Sequence, residues 1–109
     1  TNPKVFEVLL GKAVLKAGSL TAQNIANTLW SMAKLEHANP KVFEVLLGQA
    51  VLAAGSFNSQ DIANTLWAVA KLEHTNPKVF EVLLGEAVLK AGSFTPQDIA
   101  NTLLSLAHL

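Results

Sequence analysis

The chain has 109 residues, 50% of them hydrophobic, and its eight acidic residues balance eight basic ones, all Lys, for a formal net charge of zero. That describes one compact domain without the strongly basic balance, a pI above about 9, of a typical nucleic-acid-binding module, so any phosphate recognition must be local. No Cys is present, which excludes disulfides, thiolate catalysis and Cys-ligated zinc or iron–sulfur clusters. No apolar run approaches the roughly 18 residues of a membrane span, and Thr1-Asn2-Pro3-Lys4 carries no signal or transit pattern.

The dominant feature is an internal repeat. The string Asn-Pro-Lys-Val-Phe-Glu-Val-Leu-Leu-Gly begins at Asn2, Asn39 and Asn76. It divides the chain into units 1–37, 38–74 and a truncated 75–109. Each unit reads as two helices. The first opens at Asn-Pro, because Asn caps free amides and Pro is preformed for the first helical position. In the first unit it runs through Val5, Phe6, Leu9, Leu10 and Val14 to Gly18, where a left-handed residue is expected to close it; Gly55 and Gly92 repeat that stop.

The second helix opens with a capping box, strongest in Thr95-Pro96-Gln97-Asp98 and weaker in Thr21-Ala22-Gln23-Asn24 and Asn58-Ser59-Gln60-Asp61. Leu20, Phe57 and Phe94 before the cap, and Ile25, Ile62 and Ile99 after it, form hydrophobic staples. The second helices are read to about Glu36, Glu73 and the C-terminus. In the first of them Ile25, Ala26, Leu29, Met32 and Ala33 make one apolar stripe, with Gln23, Asn24, Asn27, Ser31 and Lys34 opposite.

The first helix of each unit is apolar nearly all round, so a single hairpin cannot close its own core and the units must stack. The predicted fold is all-α: an α-solenoid of three helix-turn-helix repeats, six antiparallel helices wound as a right-handed superhelix. Neither terminal unit carries a polar outer face, so end-to-end self-association through the uncapped ends is expected.

At Phe94-Thr95-Pro96-Gln97-Asp98-Ile99-Ala100-Asn101-Thr102-Leu103, and at Ile62-Ala63-Asn64-Thr65-Leu66-Trp67-Ala68-Val69-Ala70-Lys71-Leu72, the sequence resembles the octotricopeptide repeat family and its cousin, the heptatricopeptide repeats, whose unit length it shares. The signature resembled is F-[ST]-P-Q-[DE]-[IL]-A-N-T-L-W-[AS]-[LM]-A-[KR]-L. The third unit departs from it with Leu104 in place of Trp, and the first has Ala22 and Asn24 in place of Pro and Asp. The resemblance implies an array that binds single-stranded RNA at about one nucleotide per hairpin. It also implies post-transcriptional regulation in a chloroplast or mitochondrion, with a bacterial protein as the alternative.

Positions that change between near-identical units are where a base code would lie. Lys12, Gln49 and Glu86 occupy one such position with three different charges, although surface drift produces the same pattern. Asn24, Asp61 and Asp98 vary too, but capping accounts for them. Asn27, Asn64 and Asn101 sit mid-helix, where Asn is unfavourable unless a buried inter-repeat hydrogen bond or an RNA contact compensates. Lys4, Lys41 and Lys78 form a ladder at the N-termini of successive first helices, a candidate phosphate track that Glu7, Glu44 and Glu81 one turn on could neutralise. Lys16 and Lys90 could extend a basic edge that Ala53 interrupts.

Trp30 and Trp67 read first as packing residues and second as base-stacking platforms. Gly11, Gly48 and Gly85 inside the first helices suggest close helix contact. His37 and His74 suit helix C-termini and have no partner at metal-ligand spacing. No catalytic constellation, metal site or phosphate-binding Gly loop is present in the sequence, so neither enzymatic activity nor a cofactor is expected. The alternatives to an RNA-binding array are a protein-interaction scaffold of tetratricopeptide type and a consensus or truncated array without native activity.

Overall fold

The computed structural model describes residues 3–36, 39–72 and 77–107. Asn2, His37, Glu73, His74 and Asn76 lie outside the described residues, so the readings made for them find no answer there. Among the described residues six α-helices follow in order: α1 (Pro3–Leu15), α2 (Ala22–Lys34), α3 (Pro40–Leu52), α4 (Ser59–Lys71), α5 (Pro77–Leu89) and α6 (Pro96–Ala107). Among the described residues there is no strand.

Local chemistry sets the helix starts. Asn39 caps α3, its side-chain oxygen accepting from the Val42 N–H at 3.2 Å, with Pro40 as the first helical residue. The capping boxes of α2, α4 and α6 all close. Thr21 N–H donates to Asn24 Oδ1 and Asn24 N–H to Thr21 Oγ1, both at 3.1 Å. Asn58 N–H donates to Asp61 Oδ2 at 3.2 Å, and Asn58 Oδ1 accepts from Asp61 N–H at 2.8 Å. Thr95 and Asp98 repeat the pair at 3.2 and 3.1 Å. The first two boxes, weaker in sequence, are equally complete because an Asn amide oxygen accepts in the same geometry as a hydroxyl or carboxylate.

The helix ends differ from expectation. α1, α3 and α5 do not stop on a left-handed Gly; they tighten into 3-10 turns, Ala17–Ser19, Ala54–Ser56 and Ala91–Ser93, and no described Gly has a positive φ. Backbone bonds close these turns, Ser19, Ser56 and Ser93 N–H donating to the carbonyls of Lys16, Ala53 and Lys90 at 2.9, 2.8 and 3.0 Å, and Ser19 Oγ and Ser93 Oγ add a second donor to Lys16 and Lys90 at 2.9 Å. Among the described residues the one non-Gly residue in the left-handed region is Glu36, at φ 53°, just past α2.

Gly11, Gly48 and Gly85 also depart from the reading of close contact. All three are exposed, and a Cβ built on any of them would meet nothing within 4 Å. They lower helix propensity without allowing a closer approach.

The helices stack in two layers. α2 lies along α4 and α4 along α6, while α1, α3 and α5 contact one another more sparsely. α2 also packs on α3 and α4 on α5, so each second helix is shared with the following unit. Small residues permit the tighter layer: Ala26, Ala33, Ala63 and Ala68 are fully buried. A stack drawn closer on one side bends toward that side. The product is an α-solenoid with principal extents of 39 × 26 × 23 Å, whose core runs continuously through Leu29, Met32, Phe43, Leu46, Phe57, Ile62, Leu66 and Leu83.

Candidate nucleic-acid interface

The apolar stripes of α2 and α4 turn toward the core, and α2, α4 and α6 set their polar stripes side by side on the tighter layer. Gln23, Asn27 and Trp30 are spaced i, i+4, i+7 on α2, which places them on one helical face. Gln60, Asn64 and Trp67 repeat the arrangement on α4, and Gln97, Asn101 and Leu104 on α6. The rows meet in a groove of about 300 Å3 lined by Asn27, Trp30, Gln60, Asn64, Gln97, Asp98 and Asn101. Three repeats therefore contribute to one recess. A second polar recess, lined by Asn58, Ser59, Ser93 and Thr95, shares Gln60, Gln97 and Asp98 with the first and lengthens the band toward the helix starts.

The three asparagines are brought together, though not by a buried bond between repeats. Asn27 is exposed, Asn64 and Asn101 are half-buried, and all three side chains border open space. Only backbone carbonyls are engaged at two of these positions, Asn27 accepting from Ser31 Oγ at 2.9 Å and Asn101 from Ser105 Oγ at 2.8 Å. A carboxamide carries both donors and an acceptor, so each of these groups can meet the edge of a base bidentately.

Trp30 keeps part of the packing role, against Trp67, and exposes the rest. It is exposed on the groove wall, its ring centroid 6.1 Å from that of Trp67 with 36° between the planes, and Lys34 Nζ stands 5.5 Å from the Trp30 centroid. Trp67 is half-buried behind it. This is one aromatic face beside a row of amides, with a cation over the ring.

The charged candidates lie elsewhere. Lys4, Lys41 and Lys78 are exposed one residue inside the starts of α1, α3 and α5 and do not line the groove. Nor do Lys12, Gln49 and Glu86. Glu86 pairs instead with Lys90, whose Nζ lies 3.2 Å from Glu86 Oε1 and donates to the carbonyls of Gly55, at 3.1 Å, and Phe57. Lys90 is therefore a clamp between the second and third units and not part of a free basic edge.

Sequence reasoning missed Gln60 and Gln97 because it read them as part of the helix caps. The signal was the recurrent Gln-x-x-x-Asn-x-x-Trp spacing, which puts each Gln one turn from an Asn already singled out. Asp98 closes the α6 cap as well as bordering the groove. Among the described residues no three His, Cys, Asp or Glu side chains gather where they could hold a metal, and no helix is long and apolar enough to cross a membrane.

No curated protein matches the chain. The family model of the RNA-editing substrate-binding complex 6 protein matches residues 1–109, the whole of it, and the chain belongs to that family.

Proposed function

We propose that this chain is a non-enzymatic array that binds single-stranded RNA, laying successive bases along the groove formed by α2, α4 and α6 at about one nucleotide per repeat. Family membership ties the chain to an RNA-editing complex, and so to RNA and to other proteins of such an assembly as partners. It favours a mitochondrial setting and lends nothing to a chloroplast or bacterial one. The finer reading as octotricopeptide or heptatricopeptide repeats rests on the sequence signature of the second helices and on the unit length.

The observation that carries the proposal is the convergence of Asn27, Asn64 and Asn101, with Gln60, Gln97 and Trp30, in one recess built by three repeats. Amides offer base-edge hydrogen bonds, Trp30 offers a stacking face, and the groove contributes no Lys, so the bases and not the phosphates belong there. Phosphates fall to the Lys4, Lys41 and Lys78 ladder on the neighbouring layer. Since every unit presents the same Gln and Asn, the groove favours the same base at each step.

Fluorescence anisotropy with labelled single-stranded RNA tests this. Replacing Asn27, Asn64 and Asn101 together by Ala is expected to weaken binding at least ~10-fold, as loss of base-edge hydrogen bonds at about 1–3 kcal/mol each implies. The helices should persist by circular dichroism, since Ala is the better helix former. Unchanged affinity in the folded variant would remove the groove from the account, and absence of RNA binding by the parent chain would favour a protein-interaction scaffold.

A further inference from the structure

The cap of α6 asks for less than Asp98 offers. Asp98 Oδ2 accepts the Thr95 N–H at 3.2 Å. In the first unit the amide oxygen of Asn24 fills the same place, accepting the Thr21 N–H at 3.1 Å. One acceptor oxygen therefore closes the box, and a charge is not needed. Asp98 Oδ1 has neither a hydrogen bond nor an ion pair among the described residues. The residue is only 7% exposed, yet it borders both polar recesses of the groove, whereas Asn24 and Asp61 border neither. Asn101 lines the first recess from the same face of α6, at i+3 from Asp98. Gln and Asn recur in every unit, and only the third brings a carboxylate to the groove.

A carboxamide offers donors beside an acceptor and can meet an edge of any base, so the amides alone treat the three steps alike. A carboxylate only accepts. Guanine is the one base with two adjacent donors on its Watson–Crick edge, N1–H and the N2 amino group, and its O6 acceptor stands on the other side of N1. Adenine and cytosine set a ring-nitrogen acceptor beside their amino group, and uracil flanks N3–H with two carbonyls, so each turns an acceptor toward a carboxylate placed there. A single strand leaves this edge free to be read. Resting on the groove as the RNA-binding face, we infer that Asp98 is a specificity-determining residue that selects guanine at the step of the third repeat. Its carboxylate accepts from N1–H and N2–H, and the Asn101 amide donates to O6. The first two steps carry amides alone and set no such preference.

Anisotropy with short labelled uridine strands carrying one guanosine, inosine or adenosine tests the inference, since a strand can slide until that base meets the third step. Inosine keeps N1–H and O6 and lacks only the N2 amino group. The parent chain should bind the guanosine strand about 10-fold more tightly than the inosine strand, the size of one hydrogen bond to a charged acceptor, and the adenosine strand no better than inosine. Asp98→Asn should bring the guanosine-to-inosine ratio close to one. The ratio is the readout because removing a negative charge strengthens binding to every strand. Asn24 already closes the same box, so the variant should fold, as circular dichroism would verify. Asp61→Asn, the same change outside the recess, should keep the preference. A parent chain that binds all three strands alike, or a preference that survives Asp98→Asn, would overturn the inference. If replacing Asn27, Asn64 and Asn101 still weakens binding in that case, the groove remains the RNA-binding face and only the assignment of guanine falls. Absence of RNA binding by the parent chain would remove both.

Discussion

Leu66→Ala is expected to lower the unfolding free energy by about 3–5 kcal/mol, the upper part of the range for buried leucines. Leu66 is fully buried on α4, the helix enclosed between α2 and α6, so neither neighbour can collapse into the space without leaving the other. A domain of this size is stabilised by roughly 5–15 kcal/mol, and a loss of that order removes much of it. Leu103→Ala supplies the control. It stands at the same register after the same Asp-Ile-Ala-Asn-Thr, yet it is exposed, and its loss should amount to less than about 1 kcal/mol. Urea unfolding followed by circular dichroism measures both. Equal losses at the two positions would contradict the stacking order.

Reversing the ladder with Lys4→Glu, Lys41→Glu and Lys78→Glu should have the largest effect on binding. Each replacement shifts the charge by two, so three take the formal net charge from 0 to −6. Three phosphate contacts to a single strand give a log–log salt dependence of about −2, following the coefficient near 0.7 per contact. The reversed chain should lose that slope and at least ~10-fold in affinity at low salt. Helical content should hold because all three side chains are exposed. An unchanged salt slope would detach the lysines from RNA and leave the amides as the whole of the contact.

The architecture was legible because three levels of sequence agreed: a unit repeated from Asn2, Asn39 and Asn76, caps at fixed offsets, and apolar stripes that demand covering. The misreadings share a physical origin. Gly18 sits where a left-handed stop is common, but the helix ends as a 3-10 turn instead, Ser19 N–H donating to the Lys16 carbonyl at 2.9 Å. Gly11, Gly48 and Gly85 suggested close approach, although the smallness that draws the layers together belongs to Ala26 and Ala63 on the second helices. The Asn row was visible as an anomaly. Its setting was not, because whether a mid-helix amide is buried or open depends on how far the neighbouring helix is displaced, a quantity no single repeat encodes. Trp30 and Trp67 both follow Ile-Ala-Asn-Thr-Leu, yet one is exposed and the other half-buried, because the units on either side differ. The charge differences at Lys12, Gln49 and Glu86 pointed to a code, yet for Glu86 the partner is Lys90 within the fold.

The central claim, that RNA bases enter the groove, is tested most directly by tryptophan emission. The chain has two Trp residues, so Trp67→Phe leaves Trp30 on the groove wall as the sole reporter. Titration with single-stranded RNA should quench its emission as bases stack on the ring, and Trp30→Phe, which retains the half-buried Trp67, should quench far less. RNA that binds by anisotropy while Trp30 emission stays constant would place the strand elsewhere and contradict the account.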